Sequence, residues 1–235
     1  MVAIPIRWGL GKLAERAAAA AAAAAAANAA REAVKDKPGT RAREVDCSET
    51  PDAADCNKCL LVEGRVGQPS TPRYVTRGTR INYDYQLQIA NMHAAPERFG
   101  YVRRGDNADE ILNIDMEEIK SIFGRGGRYT TLEWIFATKS FDGFWRSRCT
   151  VVEAKANFGH FFDEDGDYAK PFTGAVVNSW GATFANQEIT IAPTKPQGKL
   201  EWHFMSPAAH AAALVDAGLP ATNVFFTPFV LGSFP

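Results

Sequence analysis

Cysteine is scarce in this chain: four in 235 residues, at Cys47, Cys56, Cys59 and Cys149. That is too few for the dense disulfide framework of a small secreted protein. No run of about 18 strongly apolar residues occurs, which argues against a membrane-spanning helix. An excess of one charge is lacking as well. Lys and Arg number 26 against 27 Asp and Glu, for a formal net charge of −1. So balanced a molecule exerts no strong overall pull on nucleic acid. A polyanionic substrate would have to be held by a local basic patch and a metal ion. Neither G-x-S-x-G, a Walker loop nor H-E-x-x-H occurs, which leaves serine-hydrolase, P-loop and zincin chemistry without support. What is present, 46% hydrophobic and 23% charged residues, is the composition of a globular chain rather than a disordered or fibrous one.

Composition divides the chain. Ala17–Ala27 is an unbroken alanine run with Glu15–Arg16 directly before it and Arg31–Glu32 soon after. Alanine is the best helix former and a poor membrane inserter. Leu10–Val34 therefore reads as a long helix rather than a signal peptide. Its small-residue surface suits either close self-association or a solvated linker helix. From Lys35 to Ser70, Pro, Gly, Asp and Thr interrupt any period, as expected of a linker. Residues 1–60 are accordingly taken as an Ala-rich helical segment with a Cys-containing linker, and residues 61–235 as the main domain. The linker's cysteines, with a C-x2-C at Cys56 and Cys59, admit three readings. They form a zinc site completed by Cys149 or His93, a disulfide, or plain thiols.

Beyond the linker, Ile81, Tyr85, Gln88 and Ile89 recur at helical spacing, predicting a helix over 80–91. Ile111–Phe123 is loosely amphipathic. Strands are expected at 133–137, 141–145 and 149–156, then a helix over 174–187. Leu200–Met205 alternates as a half-buried strand does. Ser206–Pro207 gives an N-cap and a first-turn proline, Gly218 a stop, and Asn223–Phe229 a last strand. This is a mixed α/β layer fold.

The most informative stretch is Phe141-Asp142-Gly143-Phe144 followed by Val151-Val152-Glu153-Ala154-Lys155-Ala156. If these strands form a hairpin that turns between Ser147 and Arg148, Asp142 stands directly opposite Glu153. Opposed residues have Cβ atoms roughly 4.5–5.5 Å apart. Lys155, two residues on, shares the face. Two carboxylates that close repel unless a cation joins them. A hard ion such as Mg²⁺ takes oxygen ligands and keeps several waters, so Asp142, Glu153 and the main-chain carbonyl of Ala154 are candidate metal ligands. Lys155 can orient or help deprotonate an attacking water, or offset charge on a phosphate in transition. Together this is equipment for metal-assisted phosphodiester hydrolysis. A solvated salt-bridge ladder has the same spacing.

The surrounding residues resemble the PD-(D/E)xK nuclease superfamily, in which an Asp at a strand end precedes an E-x-K strand. More closely, F-D-G-F, then E-A-K-A with Phe161–Phe162 behind it, resembles the restriction-endonuclease-fold toxins of bacterial polymorphic toxin systems, the fifth Tox-REase family. Tyr85-Gln86, Glu133-Trp134, Leu200–Phe204 and the C-x2-C are similar as well. The resemblance covers about residues 56–230. Phe141 stands where the superfamily name implies proline. The resemblance implies a restriction-endonuclease-like core, a mixed sheet flanked by helices, carrying an Ala-rich N-terminal helix. It implies a metal-dependent endonuclease toxin using Mg²⁺ or Mn²⁺ with DNA as substrate. Catalytic residues would be Asp142, Glu153 and Lys155, with a further acidic or amide residue. Glu133 is preferred for that, because a turn near Ala137–Thr138 would bring it to Asp142; Gln86 or Gln88 is second. It further implies export by a contact-dependent route, as a type VI secretion effector with its apparatus component or adaptor, and action in the cytoplasm of a competitor. A cognate immunity protein would protect the producer. A dimer or tetramer suits double-strand cutting. The different-class alternatives are a non-catalytic binding module on the same fold and a zinc-thiolate adaptor on Cys47, Cys56 and Cys59.

Arg103, Arg104, Arg125 and Arg128 lie in Gly-containing loops and are candidate DNA contacts, since arginine pairs with phosphate in a bidentate way. Lys139, Arg146 and Arg148 flank the hairpin. The acidic run Asp163–Asp167 has its glycine misplaced for a calcium loop, and His160 stands one short element beyond the E-x-K strand.

Overall fold

A computed structural model describes residues 58–71, 73, 75–76, 78–103 and 129–230. The Ala-rich helix, the 111–123 segment, Cys47, Cys56, Arg104, Arg125 and Arg128 lie outside the described residues.

The described chain is a mixed α/β structure. Its strands are β1 (Arg65–Gly67), β2 (Tyr101–Arg103), β3 (Tyr129–Thr131), β4 (Glu133–Phe136), β5 (Lys139–Phe141), β6 (Gly143–Trp145), β7 (Thr150–Lys155), β8 (Lys199–Phe204) and β9 (Val224–Phe226). Its helices are α1 (Arg80–Asn91), α2 (Thr173–Ile191) and α3 (Pro207–Val215). β1, β4 and β5 form an antiparallel sheet in that order, and β2 pairs with β3. The third sheet runs β6-β7-β8-β9, with β6 antiparallel to β7 and the rest parallel. Parallel neighbours need a crossover, and α2 and α3 supply the two.

α1 packs on β6 and β7. Tyr85, Ile89 and Ala90 are wholly buried in the core. The approach is close because Gly143 has no side chain: a Cβ there would lie 2.7 Å from both Cα and Cβ of Ala90. Trp145 Nε1 donates to the carbonyls of Ile89 and Ala90 at 3.0 and 3.1 Å, tying the last turn of the helix to β6. α3 starts as its sequence predicts, with Ser206 Oγ accepting from Ala209 N and Pro207 in the first turn. Gly218 beyond it has φ +63°, a conformation glycine adopts without cost.

Three expectations are corrected. The linker reading fails at its end: Leu61 is wholly buried and β1 pairs with β4, so the folded part reaches back at least to Leu60. The single strand expected at 141–145 is two, β5 and β6, which belong to different sheets and divide at Asp142. Cys59 is bonded to Cys149, with Cα atoms 5.5 Å apart. Neither sulfur can then serve as a zinc thiolate, so a site on Cys47, Cys56 and Cys59, or one completed by Cys149, is overturned. β2 and β3 were not anticipated. Among the described residues no helix is long and apolar enough to cross a membrane.

Candidate active site

Two hairpins converge on one residue. Trp134 pairs with Phe141 across β4 and β5, so one rung further Asp142 stands opposite Glu133. Gly143 pairs with Val152 across β6 and β7, so one rung further the same Asp142 stands opposite Glu153. The first turn is made by Ala137 and Thr138, at φ +46° and +66°, the left-handed pair that a tight hairpin demands. The second is a single turn over Arg146–Arg148 that ends at Cys149, φ +49°, whose sulfur is tied to Cys59.

Asp142 is fixed by the main chain. The carbonyls of Cys149 and Lys155 face β8, where they accept from Lys199 N and Met205 N. By alternation, the N–H and carbonyl of Ala154 face the opposite edge, where β6 has ended. Asp142 Oδ2 takes that N–H at 2.6 Å. The aspartate therefore sits on the same open edge as the Ala154 carbonyl.

Glu153 and Lys155 project from the other strand. Lys155 Nζ lies 2.5 Å from Glu153 Oε1, with only 14% and 15% of the two side chains exposed. Glu153 Oε2 accepts from Gln187 Nε2 at 2.7 Å, and Gln187 Oε1 accepts from Trp202 Nε1 at 2.7 Å. The Trp202 ring lies under the lysine, 4.3 Å from Nζ to the ring centre.

The carboxylates act on one another. Burial, then the nearby Glu153 charge, pushes Glu133 up to about 7, against the hydrogen bond from Ser140, the approach of Gln86 and the charge of Arg73. Gln86 has its Nε2 buried with no partner of good geometry. Asp142 is raised well above the usual carboxylate range by burial, then by Glu153 and Glu133; Lys155 and the Ala154 N–H oppose the shift. Tyr83 is raised chiefly by burial and lies within electrostatic reach of Arg73, Glu133 and Asp142.

The fold thus brings Glu133, Asp142, Glu153, Lys155 and Ala154 together, with Gln86 beside them. Gln88 belongs elsewhere: its amide donates to Pro228 O and accepts from Val230 N, fastening the chain after β9 to α1. Arg103 ends β2, its carbonyl accepting from Gln68. Arg146 pairs with Glu97 and Arg148 lies over Trp145, so neither turn arginine is directed at the carboxylates. His160 stacks edge-on against Phe161. Sequence reasoning missed Gln187, Trp202, Tyr83 and Arg73. One signal for Gln187 was present. Val177, Trp180, Phe184, Gln187 and Ile191 are the buried stripe of α2, and a lone amide in an apolar stripe needs a polar partner.

The donor set is all oxygen: facing carboxylates, with Glu153 raising the pKa of Asp142 and of Glu133, and a main-chain carbonyl on the edge of β7 that faces Asp142. That set suits a hard cation such as Mg²⁺ or Mn²⁺. Among the described residues no group of three or more His, Cys, Asp or Glu side chains forms a ready metal cage. Mg²⁺ held by few protein oxygens keeps several of its waters.

The fold and this cluster define a mixed α/β protein with an acidic, lysine-bearing site at the junction of two sheets. Residues 121–207 match the model of the family described as restriction endonuclease fold toxin 5, Tox-REase-5; over that stretch, which includes every residue of the carboxylate–lysine cluster and Gln187 and Trp202, the chain is similar to those toxins. Comparison with curated proteins gave no match.

Proposed function

We propose that this chain is a nuclease toxin: a metal-dependent endonuclease that hydrolyses DNA phosphodiester bonds. The observation that carries the reading is the double register at Asp142, which sets one carboxylate opposite both Glu133 and Glu153 beside the Ala154 main chain. The match to restriction-endonuclease-fold toxins over residues 121–207 supports it independently.

Asp142, Glu153 and the Ala154 carbonyl would hold the ion. When bound, Mg²⁺ or Mn²⁺ supplies Lewis-acid polarisation of the phosphate and an acidified water. Lys155 offsets the negative charge that builds on the phosphate, from an ammonium seated over the Trp202 ring. Glu133, with its raised pKa, sits where it can take or return a proton near neutral pH. Arg73, exposed and within electrostatic reach of Glu133, can meet the incoming backbone.

Delivery follows from the toxin reading: export by a contact-dependent system such as type VI secretion, through an apparatus component or adaptor, and action in the cytoplasm of a competitor. A cognate immunity protein would cover the acidic edge. Self-association into a dimer or tetramer would place two sites on one duplex.

The competing reading is a non-catalytic module whose Glu153–Lys155 pair is merely a salt bridge. One observation favours it, the close contact of those two groups. Their burial speaks against it, since a solvated ladder would leave both side chains exposed. The test is a substrate panel. Purified protein is incubated with double-stranded DNA, single-stranded DNA and RNA, each with Mg²⁺ or Mn²⁺ and with EDTA. Divalent-dependent DNA cleavage is expected. Cleavage of RNA alone would move the substrate, and binding without cleavage of any of the three would favour the module.

A further inference from the structure

Gln187 and Trp202 touch the proposed catalytic pair from behind, and neither reaches solvent: they are 2% and 0% exposed. They come from different elements, α2 and β8, and the Trp202–Gln187 hydrogen bond joins the two beside the Phe184–Trp202 ring contact. An indole N–H can only donate and a carboxylate can only accept. The group between them must therefore accept on one side and donate on the other. An amide does this in one fixed orientation, with Oε1 toward Trp202 and Nε2 toward Glu153. The same indole presents its face to the Lys155 ammonium, a favourable seat for a cation in a desolvated site. One side chain thus touches Lys155 directly and Glu153 at one remove.

We propose that Gln187 and Trp202 are positioning residues for the Glu153–Lys155 pair, with Trp202 N–H acting through Gln187 on the glutamate and the Trp202 ring acting on the lysine. The inference rests on the nuclease reading of the site. Two separable effects follow from one residue. Trp202→Phe removes the N–H and keeps a ring face; Trp202→Leu removes both.

The test is a double-mutant cycle on cleavage kinetics, with nucleic-acid binding measured in EDTA and thermal unfolding alongside. Gln187→Leu, of similar size, is expected to lower kcat at least tenfold while KM and metal-free binding change less than twofold. Trp202→Phe should lower kcat in the wild-type background and cause no further loss in the Gln187→Leu background. Trp202→Leu should cause a further loss in both. An independent readout avoids activity altogether: the Trp202 indole N–H resonance, assigned from Trp202→Phe, should shift in Gln187→Leu while the other indole signals stay. If the wild type cleaves, Asp142→Asn abolishes cleavage and Gln187→Leu retains wild-type kcat, the positioning role is overturned while the nuclease reading stands. Additive losses for Gln187→Leu and Trp202→Phe would likewise refute the relay. An inactive wild type with the expected indole shift would leave the contact in place and remove its catalytic meaning. Should Gln187→Leu fail to fold, Gln187→Met replaces it under the same criteria.

Discussion

Asp142 accepts a hydrogen bond from the main-chain N–H of Ala154, 2.6 Å away. The bond occupies the rung at which β6 would otherwise have continued, and so marks where the sheet opens. It also sets the aspartate on the edge of β7 that the Ala154 carbonyl faces. An asparagine can accept the same bond through its Oδ1. Asp142→Asn should therefore fold with a near-unchanged melting temperature.

Lys155 offers a cleaner separation of charge from packing. Lys155→Met keeps an unbranched side chain and removes the ammonium that sits over the Trp202 ring. Cleavage should fall on the order of 10²–10⁴-fold, the usual weight of a positioned proton-transfer or charge-offsetting group. Steady-state kinetics on plasmid DNA check this. A variant within twofold of wild type would take the lysine out of the mechanism.

The carboxylate crowding has a pH signature. Glu133 is raised from 4.5 to about 7, and Asp142 is raised too. Between those pH values the folded protein holds protons that the unfolded chain releases, so unfolding free energy falls as pH rises through this window. In EDTA, wild-type stability relative to Glu133→Gln should therefore decline from pH 5 to pH 8. Mg²⁺ should restore more of it at pH 8 than at pH 5. Denaturant titrations across the range test this, and parallel pH profiles for the two proteins would contradict it.

The Cys59–Cys149 bond closes a separation of 90 residues and ties the segment before β1 to the turn leading into β7. A cross-link of that span stabilises by roughly 2–5 kcal/mol, largely by restricting the unfolded chain. Reductant, or Cys149→Ser, should lower the denaturation midpoint accordingly, and reductant should add nothing to the Cys149→Ser variant at this bond.

Gly143 is where α1 meets the sheet. Gly143→Ala would press a methyl group into Ala90 at 2.7 Å, backbone included, so the helix must move. A loss of about 1–3 kcal/mol is expected from such overpacking, with a drop in activity because Asp142 is the next residue. Equilibrium unfolding and cleavage rates measure both.

Much of the frame was legible in the sequence because the signals were local. The spacing of Ile81, Tyr85 and Ile89 marked α1, Ser206 and Pro207 marked the start of α3, and alternation marked β8. The β6–β7 register was legible too, since a turn between Ser147 and Arg148 fixes every pair in the hairpin. What escaped was non-local. The division of 141–145 at Asp142 depends on which sheet each half joins. β1, β2 and β3 are three residues each and too short to show a period. Cys59 and Cys149 are paired by the fold, not by spacing. Gln187 and Trp202 gain their meaning only when α2 meets β8 beside β7.

The measurement that bears most directly on the account is cleavage of supercoiled plasmid by the purified chain in Mg²⁺, in Mg²⁺ with excess EDTA, and by Asp142→Asn of verified fold in Mg²⁺. The account predicts nicked and linear product in the first reaction alone. Equal cleavage by Asp142→Asn, or cleavage that survives EDTA, would contradict it.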